Sequence, residues 1–90
     1  MGKKLVYYTS EDCEYCDEAR PIVTELAREL GLQVVELDLK ESEETPVTTA
    51  PSVCLVDEEK GETITCVVGF SNRVEYRQRV AAMLKTRVVV

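Results

Sequence analysis

Two cysteines three residues apart, in the run Cys13-Glu14-Tyr15-Cys16, stand where one kind of apolar pattern gives way to another. Before them lies a β-branched and aromatic stretch, Leu5-Val6-Tyr7-Tyr8. After them comes a stripe of helical period: Ala19, Ile22, Val23, Leu26, Ala27 and Leu30. A dithiol at a strand-to-helix junction is suited to thiol–disulfide exchange. The first sulfur is expected at the helix N-terminus, where unpaired amides and the positive end of the dipole stabilise a thiolate. The second, at i+3, is expected one turn deeper on the same side. The pair has two other possible uses, half a zinc site or simple packing. Zinc takes four ligands, usually as two close pairs, whereas this chain has no histidine and its other cysteines, Cys54 and Cys66, stand singly and far off. Packing alone leaves the junction unexplained.

The chain that must position these sulfurs has 90 residues, read as one domain spanning 1–90. With 44% hydrophobic and 31% charged residues it has the composition of an ordinary globular core. A net charge of −6 argues against nucleic acid and anionic membrane as partners, since both select basic patches. No apolar run reaches transmembrane length, and the stretch after Lys3-Lys4 is too short for a signal peptide. A cytoplasmic monomer is the expectation. In a reducing compartment its cysteines should be reduced or catalytic rather than structural.

The patterns predict six elements. Residues 5–9 form a strand apolar on both faces, hence central. A helix over 13–30 stops at Gly31, which suits a left-handed cap. Residues 34–39 read as an edge strand with Val35, Leu37 and Leu39 on one face. Residues 40–50 are acidic and Thr-rich and leave room for no more than a short helical turn before Pro51. Strands at 52–57 and 63–68 form a hairpin, the latter alternating Ile64, Cys66 and Val68 against Thr63, Thr65 and Val67. Asn72 with Glu75 resembles a capping box opening a final helix that buries Tyr76, Val80, Met83 and Leu84. The tail Val88-Val89-Val90 suggests fraying or local packing. The β-α-β, β-β-α order gives a four-stranded mixed sheet in the order 2-1-3-4, with helices expected on both faces.

In element order, from about Leu5 to Leu84, the chain resembles the thioredoxin superfamily, nearest to glutaredoxins and small glutaredoxin-like proteins. The matching motifs are Cys13-x-x-Cys16, Pro21 five residues after the second cysteine, and Thr49-Ala50-Pro51 before the third strand. The resemblance implies a thioredoxin-like α/β fold with a reduced second helix and a cis bond before Pro51. That bond would leave the Ala50 backbone free to pair with an extended substrate peptide. It also implies substrate contacts at Tyr15, Thr49, Ala50 and Pro51, and structural roles for Tyr8 and Pro21. Tyr8 and Tyr15 match glutaredoxins, and Tyr7 stands where thioredoxins carry a buried acid. The chain departs from glutaredoxins in two places. Ser10-Glu11-Asp12 replaces their basic grip on glutathione, and Gly69-Phe70-Ser71-Asn72 replaces their Gly-Gly and Asp.

The implied activity is reduction of protein disulfides. Cys13 attacks the substrate, Cys16 resolves the mixed disulfide, and an external thiol reductant reopens the Cys13–Cys16 bond. That reductant is glutathione or a thioredoxin-reductase-type enzyme, and no bound cofactor or metal is expected. Glu11, Asp12, Glu14, Asp17 and Glu18 crowd the site and should disfavour the thiolate, making the couple more reducing. Two other readings remain: a glutathione-dependent glutaredoxin, and a metal- or cluster-binding module joining Cys13 and Cys16 to a second copy's pair. Cys54 and Cys66, on facing hairpin strands, are expected as two buried thiols acting as small hydrophobes. A cross-strand disulfide is the alternative.

Overall fold

The computed structural model describes residues 2–41 and 45–87, the last two by backbone alone. The doubly apolar stretches become the two central strands, β1 (Lys3–Thr9) and β3 (Ser52–Asp57). The edge strands are β2 (Gln33–Asp38) and β4 (Glu62–Val68), giving the order β2-β1-β3-β4. β1 runs parallel to β2 and antiparallel to β3, and β3 pairs antiparallel with β4. The sheet is thus mixed, in the expected order.

Helix α1 (Cys16–Leu30) buries Ala19, Val23, Leu26 and Ala27, the inward face of its stripe. It ends in a Schellman arrangement. Gly31 takes φ 69°, and the amides of Gly31 and Leu32 donate to Arg28 and Ala27 at 3.2 and 2.8 Å. Helix α2 (Arg73–Arg87) opens where the Asn72 side chain accepts the Glu75 amide at 2.9 Å. It buries Tyr76, Val80, Met83 and Leu84, as its period requires.

Both helices pack on one face of the sheet, which corrects the expectation of helices on each. The main core gathers Leu5, Tyr7, Val53, Leu55 and Val67 from the strands with the buried residues of α1 and α2. Arg77 of α2 ties the pair together, reaching Glu25 of α1 at 3.1 Å. The opposite face holds a smaller cluster of Val6, Tyr8, Val47 and Cys54, with Leu37, Leu39, Val56 and Cys66 against it. Its cover comes from the connection 39–51, whose described residues form turns and bends and contribute Val47. The alternation expected in β4 is also corrected. A register shift between Leu55 and Val56 lets Ile64 join the helix-side core while Cys66 faces the other way, and Val68 is exposed. An inserted residue reverses side-chain sense on one side of it. The valine tail, residues 88–90, lies outside the described residues.

Candidate active site

The Cys13-to-Cys16 segment follows β1 at the end where its ladder with β3 reaches Tyr8 and Ser52. The two cysteines are joined in a disulfide, S–S 2.03 Å and Cα–Cα 5.5 Å. Cys13 is partly exposed, whereas Cys16 is 4% exposed. An attacking thiolate therefore reaches the first sulfur and not the second.

Helix α1 begins three residues later than expected, at Cys16, with Tyr15 as its N-cap. Cys13 thus sits in a turn outside the helix, its amide donating to the Ser10 carbonyl at 3.3 Å. Cys16 is the first helical residue rather than one a turn inside. The reason is local: the Tyr15 carbonyl collects the Glu18 and Ala19 amides at 3.2 and 2.9 Å, starting the helical ladder there. The Cys16 and Asp17 amides precede that ladder and have no backbone partner among the described residues. These donors lie at the disulfide itself.

Tyr7 anchors this turn from beneath. Its hydroxyl donates to the Cys16 carbonyl at 2.8 Å, and its side chain is 1% exposed. Burial pushes the hydroxyl up to about 12, against the opposing pull of Arg20, so it stays protonated at neutral pH. Arg20 lies over the Tyr7 ring at 5.9 Å and pairs with Asp17 and Glu36, both at 2.7 Å. Pro21 follows inside α1 with its side chain exposed, and its missing N–H leaves the Asp17 carbonyl without the usual helical donor.

The Thr49-Ala50-Pro51 segment enters β3 with a cis bond between Ala50 and Pro51. The register of Tyr8 with Ser52 sets it at the same end of the sheet as the cysteines. Thr49 is exposed, Ala50 half-buried and Pro51 buried. Ser52, 0% exposed, turns its hydroxyl to the Thr49 carbonyl at 2.5 Å, and the Gly69 amide donates to the Pro51 carbonyl at 3.0 Å. Among the described residues no backbone–backbone bond outside helices and strands uses Ala50.

Tyr15 is 45% exposed and stacks on Phe70, centroids 5.3 Å apart, while Phe70 packs against Tyr76 at 5.2 Å. The β4–α2 connection is thereby fastened to the cysteine turn. Tyr8 does not join this group: it is buried in the smaller cluster on the other face. Phe70 and Ser52 were not among the residues singled out from the sequence. The signals were there, in an aromatic directly after Gly69 and a serine between Pro51 and an apolar run.

The acidic crowd is largely compensated. Glu11 pairs with Lys40 at 3.1 Å, Asp17 with Arg20, and Glu18 with Arg73 at 3.5 Å. Asp12 and Glu14 have no ion pair among the described residues. Those residues hold no cluster of three or more potential metal ligands.

Cys54 and Cys66 are not two thiols. They face each other in the β3–β4 register and form a second disulfide, Cα–Cα 4.0 Å. The expectation of unpaired small hydrophobes is overturned because the register sets the two side chains directly opposite each other.

No protein-family model and no curated protein matches the chain. Solved thioredoxins do. The chain is similar to a mutant thioredoxin from Halobacterium salinarum NRC-1, with TM-score 0.74 and 20% identity over 94% of this chain and 74% of that one. It is also similar to a reduced thioredoxin pre-protein of Schistosoma mansoni, with TM-score 0.76 and 23% identity over 97% and 80%. The third likeness, to thioredoxin f2 of Chlamydomonas reinhardtii, has TM-score 0.76 and 13% identity over the same shares. The fold is thioredoxin-like, as the resemblance implied, and the dithiol motif sits at its strand-to-helix junction.

Proposed function

We propose that this chain is a thiol–disulfide oxidoreductase that reduces protein disulfides through Cys13 and Cys16. The observation that carries the reading is the asymmetry of the pair: a reachable Cys13 bonded to a buried Cys16 at the mouth of α1. In the reduced form the Cys13 thiolate attacks one sulfur of a substrate disulfide, expelling the other as a thiolate. Cys16, held by Tyr7 through its carbonyl, then attacks Cys13, expels the substrate and regenerates the internal bond. Thr49, Ala50 and Pro51 form the edge along which a substrate peptide lies, with the Ala50 backbone as its pairing group. Tyr15, backed by Phe70, supplies an apolar contact on the other side of the turn.

The reductant is an external thiol donor. Lys40, Arg20 and Arg73, the cations bridged to this site's acids, are engaged with Glu11, Asp17, Glu36 and Glu18. That supports a reductase protein over glutathione, whose carboxylates call for uncompensated cations. The protein works alone on soluble protein disulfides, in the cytoplasm. No described helix is long and apolar enough to cross a membrane.

The test is an insulin-reduction assay on the wild type and the Cys13→Ser and Cys16→Ser variants. Turnover should vanish in the first, and the second should accumulate substrate adducts on Cys13. Unchanged turnover in Cys13→Ser refutes the reading. Supplying electrons from glutathione or from a thioredoxin-reductase-type enzyme identifies the donor.

A further inference from the structure

We propose that Cys54–Cys66 is a second redox site, independent of Cys13–Cys16 and opened by small dithiols through Cys66 alone. Its two sulfurs differ in access. Cys54, on central strand β3, is 0% exposed, and Cys66, on edge strand β4, is partly exposed. The bond lies on the face of Val6, Tyr8 and Val47. Tyr7, which reaches Cys16, belongs to the helix-side core on the opposite face. The sheet therefore stands between the two disulfides, and they do not exchange within the folded chain.

The ladder does not need this bond to keep its register. The hairpin turn is closed by the Gly61 amide on the Asp57 carbonyl at 2.7 Å, and the Glu59 and Lys60 amides donate to the Asp57 carboxylate at 3.0 and 3.3 Å. Opened, both thiols remain in place as small apolar groups, ready to close again. The bond also lies two residue pairs from Ser52–Val68, beyond which Gly69 holds the Pro51 carbonyl.

In the reaction, a thiolate of the dithiol attacks Cys66 Sγ and the S–S bond breaks. Its electron pair goes to Cys54 Sγ, which takes a proton. The reductant's second thiol then displaces Cys66 as a thiol and leaves as a cyclic disulfide, so two electrons and two protons have entered the protein. Cys54 departs into apolar packing, where a thiolate is disfavoured, so this step should run slower than opening of Cys13–Cys16 by on the order of tenfold or more.

The whole chain is exposed to graded dithiothreitol and followed by circular dichroism, and each time point is quenched with acid, alkylated in denaturant so that buried thiols are also counted, and mapped by mass. Cys13 and Cys16 should label first. Cys54 and Cys66 should follow at least about tenfold later with the native spectrum intact, and the bond should return when reductant is removed. The slow pair should persist in the Cys13→Ser/Cys16→Ser double variant. In Cys54→Ala/Cys66→Ala it should be absent while insulin reduction continues, so this proposal and the oxidoreductase reading fail separately. Mapping of the wild type carries the test even if that variant does not fold. Labelling of Cys54 and Cys66 without reductant in the oxidised protein overturns the proposal. So does labelling whose rate rises with denaturant in step with global unfolding, which would make the bond a fixed staple.

Discussion

Tyr7 and Tyr76 lie in the same core, 1% and 0% exposed, yet their hydroxyls are in opposite situations. The Tyr7 hydroxyl donates to the Cys16 carbonyl at 2.8 Å, whereas the Tyr76 hydroxyl has no partner among the described residues. Deleting the same oxygen from each should therefore move stability in opposite directions. In Tyr7→Phe the Cys16 carbonyl keeps the amide four residues on, as any helical carbonyl does. The loss then falls at the low end for a buried hydrogen bond, about 1 kcal/mol, or roughly 4–8 °C in Tm for a domain of this size. In Tyr76→Phe an unpaired polar atom leaves the core. The relieved desolvation, about 1 kcal/mol or more, outweighs the oxygen-sized void, so Tm should rise. Thermal unfolding of both oxidised variants, followed by circular dichroism, reads the two shifts. Equal losses in the two variants would sink the reasoning, since the bond to Cys16 would then contribute nothing beyond packing.

Four further outcomes are expected. Glu14→Gln removes one of the two acids at the disulfide that have no ion pair among the described residues, and should lower the Cys13 thiolate pKa by about half a unit. The shift should be accompanied by a less reducing couple, and should shrink at high salt; iodoacetamide kinetics against pH check it. Asn72→Ala removes the acceptor of the Glu75 amide and should cost about 1 kcal/mol in urea unfolding. Tyr7 ionises near 10 in the unfolded chain and near 12 in the fold, so the stability gained by keeping it protonated is complete below pH 10 and is lost as pH rises towards 12. Burial pushes Tyr76 in the same direction, and alkaline unfolding should be delayed to higher pH in Tyr7→Phe, whose core has one fewer phenol to ionise. Between pH 6 and 9 the rate of substrate reduction should follow one ionisation, that of Cys13, because Tyr7, the titratable group bonded to the Cys16 carbonyl, remains protonated; a second ionisation in that range would refute this.

Much of the fold could be read from period and punctuation. Leu5 to Tyr8 and Val53 to Leu55 are apolar on both faces because two strands must be central, and a run of that kind has little choice of position. Gly31 and Asn72 mark helix ends because a left-handed cap and a side-chain cap each suit few residue types. The misses have physical causes. The start of α1 depended on which carbonyl first collects two amides, and Cys13, Glu14 and Tyr15 have no strong preference that decides it. The faces of β4 turned on one inserted residue at the Leu55–Val56 shift, which a period of two does not announce. Pairing of Cys54 with Cys66 depended on that same register. At the site, cysteine spacing and Pro51 were legible. The Tyr7 bond to the Cys16 backbone was not, because it joins a strand to a helix across nine residues through a group present in every residue.

Among the described residues, the second face of the sheet has far less cover than the helices give the first. There Val6 and Tyr8 of the sheet are covered by Val47 of the connection, a thin cover compared with the thirteen buried residues described in the helix-side core. Burying one large apolar side chain contributes about 1.5–3 kcal/mol, so a face with few such side chains contributes less. A disulfide closing a loop with a sequence separation of 12 restricts the unfolded chain by about 3 kcal/mol on the chain-entropy account. Cys54 and Cys66 belong to that smaller cluster, so the bond adds stability on the face where less is buried. A domain stable by about 5–15 kcal/mol survives the opening of such a bond. Reduction therefore lowers the stability of the domain without unfolding it, and the β3–β4 ladder keeps its register through the turn that the Gly61 amide closes on the Asp57 carbonyl.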